Sequence, residues 1–242
     1  MDIMRRASDP PSDPGWGAST GEPDSDGQVA GREGRSNRIP QMTIRRLSTY
    51  YRVARSLEAC GELEPLSSDR MSRLTGFTAA QVRRDLAYFG SFGKRGVGYP
   101  VGELQASLRT ILGIDRGWRL ALVGVGNLGT ALLSYRNFAH QGFEIAGAFD
   151  ADPKKHGRAF GPLRVRPMTE LPGAVREEQI SIAIVAVPGD EAQAVVDVVV
   201  GSGIRGILNF APVKVRVPAG VHLSRVDLSI EIEYLAYLLT NG

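Results

Sequence analysis

The 242 residues are enough for one large or two small domains. No apolar run approaches the ~20 residues of a membrane span, and the first residues lack the h-region of a secretory signal. A single cysteine, Cys60, excludes an internal disulfide framework and a Cys-rich metal site, so no metal is expected and the cytoplasm is the expected compartment.

Net charge is only +3, but it is unevenly spread. Residues 1–38 carry 5 basic and 7 acidic side chains, residues 39–100 carry 10 and 5, and residues 101–242 carry 14 of each. The basic excess belongs to one segment, as a nucleic-acid footprint requires. Residues 1–38 are rich in Gly, Pro, Ser and Asp and poor in aliphatic residues, so a disordered tail is expected there.

From Ile39 the pattern changes. Thr43 to Ala59 reads as a helix with Ile44, Leu47, Tyr51, Ala54 and Leu57 on one stripe, stopped by Gly61. Cys60, near its end, reads as a small packed residue. Ser67–Ser68 can cap a short second helix carrying Met71 and Leu74. After the turn at Thr75–Gly76–Phe77, Thr78 and Gln81 have capping-box spacing and open a third helix to about Phe89. Two short helices joined by a tight turn are a helix-turn-helix pattern whose last helix would enter a major groove. Val82, Leu86 and Phe89 would pack inward, leaving Gln81, Arg83, Arg84 and Tyr88 to face base edges. Arg45, Arg46 and Lys94 suit phosphate contacts, which carry affinity rather than sequence. Gly90 to Gly98 reads as a basic glycine hairpin, a wing whose Lys94 and Arg95 suit a narrow minor groove. An ordinary three-helix domain with a charged surface helix is the competing reading.

After a connector from Pro100 to Gly117, an αβ region begins at Trp118. Leu120 to Val123 reads as a buried strand that breaks into Gly124–Val125–Gly126–Asn127–Leu128–Gly129, the G-x-G-x-x-G spacing. Gly124 permits the tight turn, Gly126 lets backbone approach a pyrophosphate, and Gly129 lets the helix pack on the strand. The helix from Leu128 to Gln141 would offer its N–H groups to phosphate. A second strand, Phe143 to Phe149, ends on Asp150, whose carboxylate can accept from ribose hydroxyls and repel a 2′-phosphate, favouring NAD over NADP. Ile180 to Val187 is a continuous apolar run that suits a strand buried on both faces, and Pro188–Gly189–Asp190 opens the next helix, to about Val200. Strands at Gly206 to Phe210 and Val221 to Val226 follow, then an apolar helix from Leu228 to Leu239. Alternation of strands and helices predicts a parallel sheet with helices on both faces. The expected division is 1–38 tail, 39–112 winged helix-turn-helix, 113–226 Rossmann-like doubly wound domain and 227–242 terminal dimerisation helix.

Two modules in this order, with these residues, resemble the Rex family of redox-sensing transcriptional repressors. The matching stretches are Ile39–Pro40–Gln41, Tyr50–Tyr51–Arg52, Gln81 to Gly90, Gly93 to Tyr99, Gly124 to Gly129, Phe149 to Pro153 and Gly203 to Pro212. The resemblance spans about Ile39 to Leu239 and leaves the tail outside. It implies a homodimer that binds palindromic operator DNA with NAD⁺ or unliganded and is released by NADH, derepressing respiratory and fermentative genes. It implies that the terminal helix is exchanged between subunits, and that a switch links Arg52, Tyr135 and Asp227 across them. Read without the family, Tyr135 is a helix-surface residue and Asp227 a helix cap. The neutral dihydronicotinamide of NADH is expected deep near the Pro188–Gly189 turn and the Tyr135 region, where it would disturb the tyrosine contact.

A rival from another class is an NAD-dependent dehydrogenase with an accessory helical domain, which needs a proton donor near the nicotinamide. His140, His156 and His222 are the candidates, and none has an acidic partner at a recognisable spacing. A CoA-ligase-like nucleotide domain shares the glycine turn and is a third reading.

Overall fold

The computed structural model describes residues 39–241 except 63, 91, 92 and 94–96. The expected disordered tail and the wing tip with Lys94 and Arg95 lie outside the described residues.

Helix α1 (Gln41–Ala59) starts two residues before the sequence pattern suggested, because the Pro40 carbonyl accepts from the Thr43 and Ile44 amides. It buries Leu47, Tyr50, Tyr51, Ala54 and Leu57, whereas Ile44, placed on that stripe by spacing, is 36% exposed. Cys60 is exposed and not packed, since it follows the last buried turn. Helix α2 (Ser68–Thr75) is capped by the Ser67 hydroxyl, which accepts from the Arg70 amide at 3.1 Å, and Gly76 closes it at φ +76°. Helix α3 (Ala79–Ala87) is capped by the Thr78 hydroxyl on the Gln81 amide at 3.2 Å. Val82 and Leu86 are buried; Phe89 lies past the helix end and is half-buried. An antiparallel bridge between Leu66 and Tyr99 ties the base of the expected wing to the chain before α2.

The expected connector is instead mostly helix. Pro100 precedes α4 (Val101–Ile111), and Val101, Leu104 and Leu108, three and four residues apart, bury against α1. The helical core therefore has four helices.

A buried ion pair locks that core. Asp85 of α3 is 1% exposed and accepts from Arg46 Nε at 2.6 Å and Nη2 at 2.8 Å, from the Tyr50 hydroxyl at 2.9 Å and from the Thr43 hydroxyl at 3.2 Å. Arg46 was expected on DNA phosphate. Its fork is instead bidentate on Asp85 and only 14% exposed, so its role is internal. Burial alone pushes the Asp85 carboxyl up, but Arg46, Tyr50 and Thr43 outweigh it and hold it below the ordinary carboxylate value.

The second core is a seven-stranded sheet in the order β3-β4-β2-β1-β5-β6-β7. Its members are β1 (Trp118–Val123), β2 (Phe143–Asp150), β3 (Ala159–Phe160), β4 (Leu163–Pro167), β5 (Ile182–Val185), β6 (Gly206–Asn209) and β7 (His222–Arg225). All pairings are parallel except β3 with β4. Alternate residues of β1 feed opposite faces: Ala121 and Val123 join one apolar cluster, Leu120 and Leu122 the other. Between β1 and β2 the single expected helix is two, α5 (Asn127–Leu133) and α6 (Asn137–His140). The intervening Ser134, Tyr135 and Arg136, with Asn137, include poor helix formers, and the Tyr135 amide bonds Leu132 in a tightened last turn. Helix α7 (Leu171–Glu177) precedes β5, α8 (Ala192–Gly201) follows it, and α9 (Leu228–Asn241) ends the described chain with no buried residue. Among the described residues no helix is long and apolar enough to cross a membrane.

Asp85→Asn removes the charge that balances Arg46. It should lower stability by about 3 kcal/mol at neutral pH, read by chemical denaturation. The lowered Asp85 carboxyl contributes stability above the unfolded carboxylate pKa of about 3.9 and loses it as pH falls through its folded value. The gap between parent and variant should therefore narrow below about pH 4.

Candidate functional site

β1 and β5 are neighbours, and the chain leaves β1 to build one half of the sheet before returning to β5 to build the other. Their carboxyl ends therefore border the crevice where open α/β sheets take ligands. The glycine turn lies there. Gly124 has φ +94°, and a Cβ on it would come within 2.5 Å of the Ala186 carbonyl and 2.7 Å of Val187 Cγ1. A Cβ at Gly129 would collide with the Gly124 carbonyl. At Gly126, the residue before α5, nothing lies within 4 Å of the added carbon, so the turn opens to solvent where its spacing predicts a phosphate. Gly126, Asn127 and Leu128 are exposed, while Val125 is buried.

Asp150, at the carboxyl end of β2, is engaged before any ligand arrives. Its Oδ2 accepts from the Val125 amide at 2.7 Å and from Lys155 Nζ at 2.9 Å, and its Oδ1 from the Asp152 amide at 2.9 Å. A carboxylate has about four acceptor sites, so one remains for a ribose hydroxyl. Burial alone would raise this carboxyl. Lys155 and the Asp152 and Val125 amides outweigh burial and hold it below its ordinary value. Lys155 also offsets part of the charge expected to repel a 2′-phosphate. A cavity of about 270 Å³ extends from Gly124 past Asp150 and Lys155 to Met168, Val187 and Pro188. Lys155 and Met168 were not among the residues singled out from sequence. The signal for Lys155 was Asp152–Pro153: the Asp152 carboxylate accepts from the Lys154 amide and turns the chain back toward the strand end.

On α3, Arg83 and Arg84 are exposed, Gln81 is half-buried and Tyr88 is 38% exposed. Arg83 Nη1 donates to Ser68 Oγ at 2.7 Å, which leans it onto α2; Arg45 on α1 is exposed. Arg45, Arg83, Arg84 and Tyr88 are exposed, whereas Arg46 is drawn inward onto Asp85.

The three residues of the implied switch are not hydrogen-bonded to one another within this chain. Arg52 is exposed on α1. Tyr135 projects from the break between α5 and α6, 51% exposed, with its ring edge-on to Phe138 and its hydroxyl accepting from Asn137 Nδ2 at 3.2 Å. Asp227 accepts from the Ser229 amide at 3.0 Å, so it caps α9.

A helix-turn-helix module fused to a nucleotide-type parallel sheet defines the class of ligand-responsive regulators. A family described as "Putative DNA-binding protein N-terminus" matches residues 38–87, and one described as "CoA binding domain" matches residues 115–213. The chain is 43% identical to the redox-sensing transcriptional repressor Rex of Syntrophobacter fumaroxidans over 206 residues, 85% of this chain and 98% of that one. It is 45% identical to that of Carboxydothermus hydrogenoformans over 200 residues, 83% of this chain and 96% of the other. The crystal structure of RSP with β-NAD⁺ and operator DNA superposes with a TM-score of 0.79 at 36% identity, covering 83% of this chain and 92% of RSP. RSP with β-NADH gives a TM-score of 0.76 at 34% identity, covering 84% and 95%. The chain belongs to the Rex family of redox-sensing transcriptional repressors.

The two glycines should separate in calorimetry. Gly129→Ala forces the collision with Gly124 and should cost about 1–3 kcal/mol of stability. Gly126→Ala adds a methyl to open space and should leave the melting temperature within about 1 °C of the parent, a shift of a few tenths of a kcal/mol.

Proposed function

We propose that this chain is a transcriptional repressor, not an enzyme, that reads the NADH/NAD⁺ balance of the cytoplasm. It binds palindromic operator DNA with NAD⁺ or unliganded and releases it with NADH, derepressing respiratory or fermentative genes. One observation carries the reading: an exposed basic recognition helix and a glycine turn with phosphate room at Gly126 occur in one chain related over 85% of its length to redox-sensing repressors. The relative RSP has been crystallised with β-NAD⁺ and operator DNA and with β-NADH.

The residue assignments belong to the same proposal. Gly124, Val125, Gly126, Asn127, Leu128 and Gly129 take the pyrophosphate, the remaining acceptor site of Asp150 takes a ribose hydroxyl, and Pro188 borders the nicotinamide end. Gln81, Arg83, Arg84 and Tyr88 face base edges, Arg45 faces phosphate, and Lys94 and Arg95, which lie outside the described residues, reach the minor groove. None of the three histidines considered for the dehydrogenase reading lies beside Pro188. His140 lies at the amino edge of the sheet, away from the crevice, and His222 opens the edge strand β7 at that same edge. His156 Nε2 is 2.9 Å from the Asp150 carbonyl oxygen, on the β2 side of the crevice and not beside Pro188.

The active form is a homodimer. Helix α9 is apolar yet carries no buried residue, with Leu239 88% and Ile232 67% exposed, and a second copy is the partner that covers it. Arg52, Tyr135 and Asp227 then meet across subunits. A ligand of equal affinity for both arrangements shifts nothing, so NADH must prefer the one in which the tyrosine contact is lost. Subunit rotation would then carry the two recognition helices off their half-site spacing.

Gel shifts of genomic fragments with NAD⁺ and NADH titrated against each other test the reading. Release by NADH, countered by NAD⁺, is the expected result; release by neither overturns it. Tyr135→Phe should reduce the NADH effect on operator affinity by about 5-fold or more, within the usual range of allosteric coupling. Light scattering should give twice the chain mass of 26.1 kDa.

A further inference from the structure

At the amino edge of the sheet, opposite the glycine turn, α1, α4 and the turn into β2 enclose a cavity of about 170 Å³. Two pairs spaced four residues apart line it, Tyr51 with Arg55 on α1 and Gln105 with Arg109 on α4. His140 and Gln141 close the third side. The backbone there is tightly drawn: Gly142 has φ +82°, and a Cβ on it would lie 2.8 Å from the Ile114 carbonyl. Two arginines and a histidine are among the residues lining the space, and no Asp or Glu is. Among the described residues neither Arg55 nor Arg109 is ion-paired.

We propose that this cavity binds a small tetrahedral oxyanion of the size of inorganic phosphate. The guanidinium fork matches phosphate oxygens two at a time, and two forks from facing helices can hold adjacent edges of one tetrahedron. Like charges brought together without a counter-charge repel, and an anion between them removes that cost. The volume has room for about six waters at roughly 30 Å³ each, which suits a single oxyanion. The bound anion ties α1 and α4 of the helical module to the turn before β2. Helix α1 also holds α3 through Arg46 and Asp85, so the anion braces the junction between recognition helix and sheet.

Calorimetry of the full chain saturated with NADH tests this, because NADH occupies the glycine turn and removes it as a competing phosphate site. Potassium phosphate is titrated against potassium chloride at matched ionic strength. Phosphate should raise the melting temperature by about 3 °C at ten times its dissociation constant and further with the logarithm of its concentration, and chloride should not. The double substitution Arg55→Gln and Arg109→Gln should abolish the rise while NADH binding is retained. Arg109 is exposed, so Arg109→Gln alone keeps the fold and should weaken apparent phosphate affinity at least 5-fold. The proposal is overturned if phosphate acts no differently from chloride, if the variants respond like the parent, or if the rise appears only without NADH. Failure of NADH to bind at all would count against the redox reading, and the variants would still report on this cavity.

Discussion

The helix after β1 can lie where it does because two residues lack side chains. Gly129 packs on the carbonyl of Gly124, and Gly124 presses against Ala186 and Val187 at the end of β5. That close approach brings three chain segments to one point at the carboxyl edge of the sheet. The crevice, its cavity and the accessible Gly126 all depend on it. Had either glycine a Cβ, α5 would be pushed outward and the strand end would no longer meet a helix terminus there.

Each module is then set by one buried carboxylate. Asp150 draws the Val125 amide toward the end of β2 and so fixes the turn between two strands. Asp85 draws α3 onto α1 through Arg46, Tyr50 and Thr43. Burying either charge is costly, and each is compensated by a cation with further donors. Directional bonds to a single carboxylate fix an angle as well as a contact. An apolar seam between α1 and α3 would tolerate sliding by a fraction of a turn, which the bidentate Arg46 fork does not.

Much of this was legible in the residues. The helix-turn-helix was readable because its punctuation is local: Ser67 and Thr78 cap, Gly61 and Gly76 close. The central strands were readable because a sheet buried on both faces needs uninterrupted apolar runs. The glycine turn was readable because each glycine has its own steric reason. Helix α4 was missed because Pro100, Gly102 and Gly113 resemble a connector, although Val101, Leu104 and Leu108 had helical spacing. The break at Ser134–Arg136 was missed because apolar residues continue on both sides of it. Arg46 was misassigned because its partner is 39 residues away, and only the tertiary fold brings them together. A polar Asp85 on the stripe of Val82 and Leu86 was the available clue. The engagement of Asp150 was hidden for a similar reason, since Lys155 returns to it through a turn and not along a helix face.

Helix α9 leaves the edge strand β7 after only Val226 and Asp227, and among the described residues nothing buries it. Its apolar surface counts against the single chain and in favour of the pair. In the proposed homodimer, folding and assembly become one equilibrium, governed by mass action. Dilution acts on such a protein as a mild denaturant, and abundance itself becomes part of what holds the fold.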